Sequence, residues 1–467
     1  MRHVAGIQRE ALKSIAETRR PRGCFQCEIV RFELILRLYT SSNTHLKELK
    51  LQVPFSQPVR LYGSATICLY FIVNISWPQR VSASHASSAD LPQTPAHSPA
   101  AAYDQQDIQF ADACETLNTG IAEHAFPGAS VAVTHHGKLI ASKAAGRFTY
   151  ELSSPEVTAT TIFDLASVSK VVATTNMAMI LYERGLLDLE TPVVALAPEF
   201  FGKGRSRVDP RRKEVTLHML LAHSSGLPAY EKLFERASNK EDLLSLAFAT
   251  GLTADPGSRA EYSDVGFIIL GALLERIADE SLDRFCQREI FGALGMSHTS
   301  FNPPSAWRPA IPPTSLRDNS RDRIIQGEVQ DENAYVMGGV AGHAGVFSSA
   351  TDLAIFASAM LNEGRPLLRP ETLKVFTRRE SSPLGTSRAL GWDTPSSSSQ
   401  SGKHFSMNSF GHLGYTGTSL WIDPERELAI VLLTNRTWPD CSSQAIKQVR
   451  PMFHDAIIES LAVEAKP

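Results

Sequence analysis

The chain lacks an excess of charge of either sign. Its 467 residues carry 46 Lys and Arg against 49 Asp and Glu, a formal net charge of −3. No basic field spans it, which argues against a nucleic-acid partner. Cysteine is scarce, six in all, with a single Cys-x-x-Cys at Cys24 and Cys27. One such pair is too little for a zinc site. Cys114, Cys286 and Cys441 are odd in number and far apart, so they make no disulfide framework. There is no His-Glu-x-x-His stretch and the histidines are scattered, which disfavours a metalloenzyme. No cofactor is expected. There is no Gly-x-Ser-x-Gly elbow either, which disfavours a Ser-His-Asp hydrolase built on one.

Long apolar runs are also missing. The run from Ala65 to Trp77 is short and interrupted by Asn74. Arg60 precedes it, and small residues from Val81 to Ala86 follow it. Residues 59–86 therefore read as a signal peptide, and export to the periplasm or beyond is the expectation. The competing reading is a membrane anchor, with transient membrane contact through residues 65–77. Residues 1–58 are basic and without sustained period, and are expected to be an extension that is not native structure. N-terminal sequencing of the mature protein separates these readings. Residues 87–104 are rich in Ser, Pro and Ala and read as a flexible linker. Residues 105–465 remain as one folded domain, in a chain that is 43% hydrophobic and 20% charged, an ordinary globular balance.

What is present centres on Phe163-Asp164-Leu165-Ala166-Ser167-Val168-Ser169-Lys170 and the apolar run to Leu187. A Ser and a Lys three residues apart at a helix start share a face. The helix is apolar on nearly every side, so it should run through the protein's middle. Burial and the positive end of the helix dipole both push Lys170 toward the neutral amine. A neutral amine can take a proton from Ser167, which is what an activated serine requires.

Around this helix, Val131–Thr134 and Leu139–Ser142 flank His135–Lys138 as a hairpin, and Thr418–Ile422 and Leu428–Leu433 flank Asp423–Arg426 as another. Helices are expected after Thr216, over Lys240–Ala249, Val265–Ala278, Leu282–Phe291 and Ala350–Leu361, and at the C-terminus on the stripe Ile446, Val449, Phe453, Ile457, Leu461. Pro303–Arg323 reads as an exposed loop. The glycines of Gly338–Gly345 suggest backbone passing close to something. Strands at both ends and helices between predict an α+β fold: one antiparallel sheet formed from both chain ends, flanked by helices, with a mostly helical insert.

Three motifs fall in order: Ser167-x-x-Lys170, Tyr262-x-Asp264 and His412-Leu413-Gly414, the last leading into Tyr415-Thr416-Gly417. Together they resemble the penicillin-recognising serine hydrolases, and among them the class C β-lactamase-like group that includes D-alanyl-D-alanine carboxypeptidases and related esterases. The resemblance covers about Asp107 to Ala462. It implies a β-lactamase/transpeptidase-like fold and an acyl-enzyme on Ser167. Lys170 would be the proton partner, Tyr262 the proton relay, and the Ser167 and Tyr415 N–H groups the oxyanion hole. Gly414 would let the strand approach the substrate. His412 stands where many members have Lys, with a charge expected to depend on pH. Asp264 stands where the family usually has Asn. An ionised Asp only accepts, so it either pairs with Lys170 or meets a donor on the substrate. The implied substrate is a small molecule or a peptidoglycan peptide, of D-Ala-D-Ala-type amide or β-lactam class. The alternatives are an esterase on small acyl esters, or a penicillin-binding sensor or inactive relative that does not turn over.

Overall fold

A computed structural model describes residues 33–37, 48–52, 98–202 and 209–464 of the chain. Residues 1–91 and 92–467 form two separate units. In the first, β1 (Glu33–Arg37) pairs antiparallel with β2 (Glu48–Gln52). The apolar segment 65–77 and the rest of the expected signal region lie outside the described residues. Among the described residues no helix is long and apolar enough to cross a membrane.

The second unit is built on a sheet of six strands. In chain order these are β3 (Ala100–Ala101), β4 (Gly128–His135), β5 (Lys138–Gly146), β9 (Phe410–Leu413), β10 (Ser419–Asp423) and β11 (Leu428–Thr434). Their spatial order is β3-β5-β4-β11-β10-β9, so the two chain ends meet where β4 pairs antiparallel with β11, Val133 opposite Ile430. The expected sheet is thus present, with two additions. β3 joins its edge parallel to β5, so the end of the stretch read as linker is a strand. A second sheet, in order β6-β8-β7, consists of β6 (Ile162–Asp164), β7 (Ser300–Phe301) and β8 (Val346–Ser349).

The first hairpin turns on two residues only. His136 and Gly137 both have positive φ, 47° and 72°, as a tight primed turn requires, and His135 remains in the strand. The central strands are apolar on both faces because both are covered. One face meets α1 (Ala111–Ala122) and α6 (Ile446–Glu464), burying Trp421, Ile430 and Leu432 with Phe453 and Ile457. The other carries Leu420, Ile422, Val431 and Leu433 into the main core with α5 (Ala350–Leu361).

The helical insert places the rest. The segment after β6 starts as a 3₁₀ turn, Ala166–Val168, and continues as a π-helical stretch, Lys170–Thr175, into α2 (Asn176–Glu183). This differs from the regular helix expected there. Ser167 lies in the 3₁₀ turn and Lys170 opens the π-helical stretch one turn on, and the two side chains meet, Nζ to Oγ at 3.0 Å. Every residue from Val168 to Leu181 is buried, as its apolar run requires. α3 (Lys240–Ala249) and α4 (Asp264–Ala278) follow, α4 capped by Ser263, whose hydroxyl accepts from Gly266 N–H at 3.0 Å.

The glycine-rich bend packs on α4. A Cβ at Gly342 would overlap the Phe267 carbonyl and the Gly271 backbone, so only glycine permits that crossing. Pro303–Arg323 is largely exposed, as expected of a loop, but not throughout: Ser305–Ala310 form a 3₁₀ turn and residues 311–315 are buried. Arg321 is buried, holding Asp318 and donating to the Val329 and Gln330 carbonyls at 2.9 Å each, and Arg317 to Asn319 face the main pocket.

Candidate active site

Ser167 lies at the floor of a cavity of about 990 Å³ between the helical insert and the edge of the main sheet. Its segment is held by Asp164. One carboxylate oxygen accepts from Ala166 N–H at 2.8 Å, the other from Gln330 N–H at 2.7 Å. Ala166 is kept at φ 46°, a left-handed conformation that a non-glycine residue adopts only when its surroundings enforce it. Burial pushes the Asp164 carboxyl up to about 6, against the pull of those two N–H groups.

The expected proton machinery converges on the Ser167 hydroxyl. Lys170 Nζ donates to Oγ at 3.0 Å and Tyr262 Oη donates to it at 2.8 Å. Lys170 is fully buried. It also donates to the His343 carbonyl at 2.9 Å, so the glycine-rich bend supplies the amine with an acceptor. Asp264 Oδ1 lies 2.7 Å from Nζ, which selects the pairing with Lys170 from the two alternatives for this Asp. Burial pulls the Lys170 amine below its ordinary value, and the Asp264 carboxylate opposes that pull without reversing it. Burial first, and Asp264 second, push the Tyr262 phenol well above its ordinary value, so it keeps its proton at neutral pH.

The third motif reaches the same place from 250 residues away. The loop after β9 is stapled to the segment before Ser167. Thr416 Oγ1 donates to the Asp164 carbonyl at 2.7 Å, and Thr418 Oγ1 to the Leu165 carbonyl at 2.8 Å. Those bonds bring Tyr415 beside Ser167 in the pocket wall. At Gly414 a Cβ would overlap the Thr418 hydroxyl and the Leu165 carbonyl, so the protein's own packing already requires glycine there.

His412 also differs from expectation. It is buried; burial and the nearby Lys170 and Arg388 charges hold its imidazole well below its ordinary pKa. It is therefore neutral near pH 7, and its charge does not respond to pH there. Nδ1–H donates to its neighbour's carbonyl, Leu413 O, at 2.7 Å, which leaves Nε2 as an acceptor without a protein partner.

Several residues at the site carry no local motif. His223 accepts from Ser263 N–H at 3.0 Å and packs against Tyr262, ring centroids 4.7 Å apart and planes tilted by 39°. Arg388 sits 5.4 Å from the Tyr262 ring and faces the pocket, with Asp393 3.6 Å away. His343 Nε2 meets Asp331 Oδ1 at 2.7 Å. Among the described residues no group of three or more His, Cys, Asp or Glu is arranged to hold a metal ion.

A buried amine and a protonated phenol on one serine hydroxyl, at the floor of an open pocket, are the parts of a serine acyl-transfer site. Residues 110–448 match the family model for beta-lactamase. The chain belongs to the beta-lactamase family. It is a serine hydrolase of that family, with the expected β-lactamase/transpeptidase-like fold. It is 34% identical over 346 residues to "N-acetylmuramyl-L-alanine amidase" of Bacillus subtilis, an alignment covering 67% of this chain and 77% of that one. It is 36% identical over 308 residues to "Putative D-alanyl-D-alanine carboxypeptidase" of Salmonella agona, covering 60% and 70%. In fold it is similar to "EstCE1, a hydrolase with promiscuous acyltransferase activity" (TM-score 0.61, 22% identity, 75% and 99% covered). It is likewise similar to a class C beta lactamase from Rhodobacter sphaeroides (TM-score 0.57, 21% identity, 75% and 99% covered).

Proposed function

We propose that this family member is an exported acyl hydrolase that forms an acyl-enzyme on Ser167 and acts on D-Ala-D-Ala-type amides of the cell wall. The observation that carries the reading is the Ser167 hydroxyl within hydrogen-bond reach of both Lys170 Nζ and Tyr262 Oη, at 3.0 and 2.8 Å. Lys170, its amine lowered by burial, takes the Ser167 proton as Oγ bonds to the substrate carbonyl carbon. Tyr262, which holds its proton, gives it to the departing nitrogen, and the proton that Lys170 took from Ser167 returns to the phenolate, so both groups are reset while Oγ carries the acyl group. The oxygen that gains charge is received by the N–H groups of Ser167 and Tyr415. Water then cleaves the ester by the same route in reverse and restores Ser167. The named activities of the carboxypeptidase and amidase relatives support an amide of the peptidoglycan peptide as substrate.

Asp264 favours a second reading. It is engaged by Lys170 and offers the substrate no amide donor, so small acyl esters, which ask less of that position, are the alternative class. Mass spectrometry of the intact protein after exposure to a penicillin and, separately, to a fluorophosphonate tests the common step. The expected result is one adduct on Ser167, absent in Ser167→Ala. No adduct with either reagent overturns the reading. A burst followed by steady turnover marks an enzyme; one equivalent and no more marks a sensor.

A further inference from the structure

The turn after β9 has every carbonyl held from behind. Gly414 O accepts from Arg450 Nη2 at 2.6 Å and from Gly417 N–H at 3.1 Å. Tyr415 O accepts from Arg436 Nε at 2.6 Å. Thr416 O accepts from Thr434 Oγ1 at 3.2 Å and from Arg436 N–H at 2.9 Å, and Gly417 O from Arg450 Nε at 3.3 Å. Arg450 rises from α6 and is buried. Its remaining contact is the Gln400 side chain, Nη1 to Oε1 at 3.0 Å, and no carboxylate meets it among the described residues.

The Gly414 carbonyl and the Tyr415 N–H belong to one peptide group. A cation bonded to the oxygen draws electron density across the C–N bond and leaves the N–H more positive. Bonds in such a chain strengthen one another, and more so where water is excluded. A charge-assisted bond is about twice as strong as a neutral one.

We infer that Arg450 is a positioning residue for the reaction: through the 414–415 peptide it orients and polarises the Tyr415 N–H that receives the carbonyl oxygen of the substrate. This rests on the reading of Tyr415 N–H as an oxyanion donor. Burial and the nearby Arg436 charge pull Arg450 down to about 9, so the guanidinium is charged at working pH. Its partners here are carbonyls, which orient it without neutralising it. Arg436 does parallel work one residue on, with its guanidinium 4.2 Å from the Tyr415 ring.

The test follows the carbonyl itself. The protein and its Arg450→Gln variant are mixed with p-nitrophenyl acetate carrying a labelled carbonyl, and the infrared stretch of the acyl-enzyme is recorded beside the acylation rate. In the variant the expected stretch is at higher frequency, closer to that of a free ester. Acylation slows about tenfold, a fraction of the loss that follows complete removal of an oxyanion donor, while KM changes less than twofold. Arg450→Lys, which keeps one cationic donor, recovers part of both. A loss of rate with an unshifted carbonyl shows a merely structural role and overturns the inference; so does no change in either quantity. Should Arg450→Gln fail to fold, the same readings on Arg450→Lys decide, an unshifted carbonyl again overturning it. If the unaltered protein yields no Ser167 adduct, the acyl-enzyme reading itself falls, and this inference with it.

Discussion

Two buried cations of the site meet different partners. Lys170, in the insert, faces a carboxylate, a hydroxyl and one carbonyl. Arg450, on the last helix, faces two carbonyls and an amide oxygen. The amine is balanced between burial, which expels its proton, and Asp264, which retains it. Among the described residues the guanidinium meets no neighbour of opposite sign, and it keeps its proton at neutral pH. The difference separates two tasks that both need positive charge at one reaction centre. On the proposed mechanism one charge comes and goes within a catalytic cycle, and the other stays.

Three experiments would break or sharpen that contrast. Removing the mobile charge has the largest expected effect. Lys170→Met leaves the pocket floor apolar and should lower kcat/KM by roughly 10²- to 10⁴-fold, the usual worth of general acid–base catalysis, with KM little changed. A variant of near-normal rate would show that Lys170 is not the proton carrier. The fixed side is broken by Gly414→Ala. The new methyl group collides with Thr418 Oγ1 and the Leu165 carbonyl, displacing the Tyr415 N–H from Ser167. Overpacking of this kind costs about 1–3 kcal/mol, read as a lower midpoint of thermal unfolding together with slower acylation. An unchanged midpoint would show that the turn accommodates a side chain.

The smallest change is Asp264→Asn, read as a pH profile. Asp264 raises the affinity of Lys170 for its proton, so its removal lowers that affinity further. The acidic limb of kcat/KM, where Lys170 must be unprotonated to accept from Ser167, should move to lower pH. A limb that stays in place, or moves upward, would remove Asp264 from the balance. Activity below neutrality rises in the expected case, because more of the amine is free there.

The parts of this site that could be read without coordinates are those with local spacing. Ser167 and Lys170 are a helical step apart, Tyr262 and Asp264 open a strongly apolar helix, and His412 to Gly414 lead into a hairpin. The same holds for the fold: alternation marks the hairpins and the 3.6-residue stripe marks α6. What could not be read depends on contacts across the chain. Neither the left-handed Ala166 nor the second sheet has a local signature, because β6, β7 and β8 are short and far apart in sequence. His412 was expected to titrate because depth of burial is invisible in a motif. The loop ending at Arg323 is mostly exposed as expected, but Arg321 within it is buried by partners that local composition does not show. Arg450 did leave a trace. It is four residues beyond Ile446 and three before Phe453, on the stripe that α6 buries, and a charge in that register asks for a partner inside.

The threonine staples carry a consequence for motion. Because Thr416 and Thr418 grip the carbonyls immediately before the nucleophile, a thermal displacement of one strand end drags the other with it. The Ser167 oxygen and the Tyr415 N–H, nucleophile and oxyanion donor of the proposed mechanism, are thereby tied together, so their separation should vary less than either absolute position. Little rearrangement is left for the moment of bond formation, and an acyl group must arrive already shaped to the gap between them.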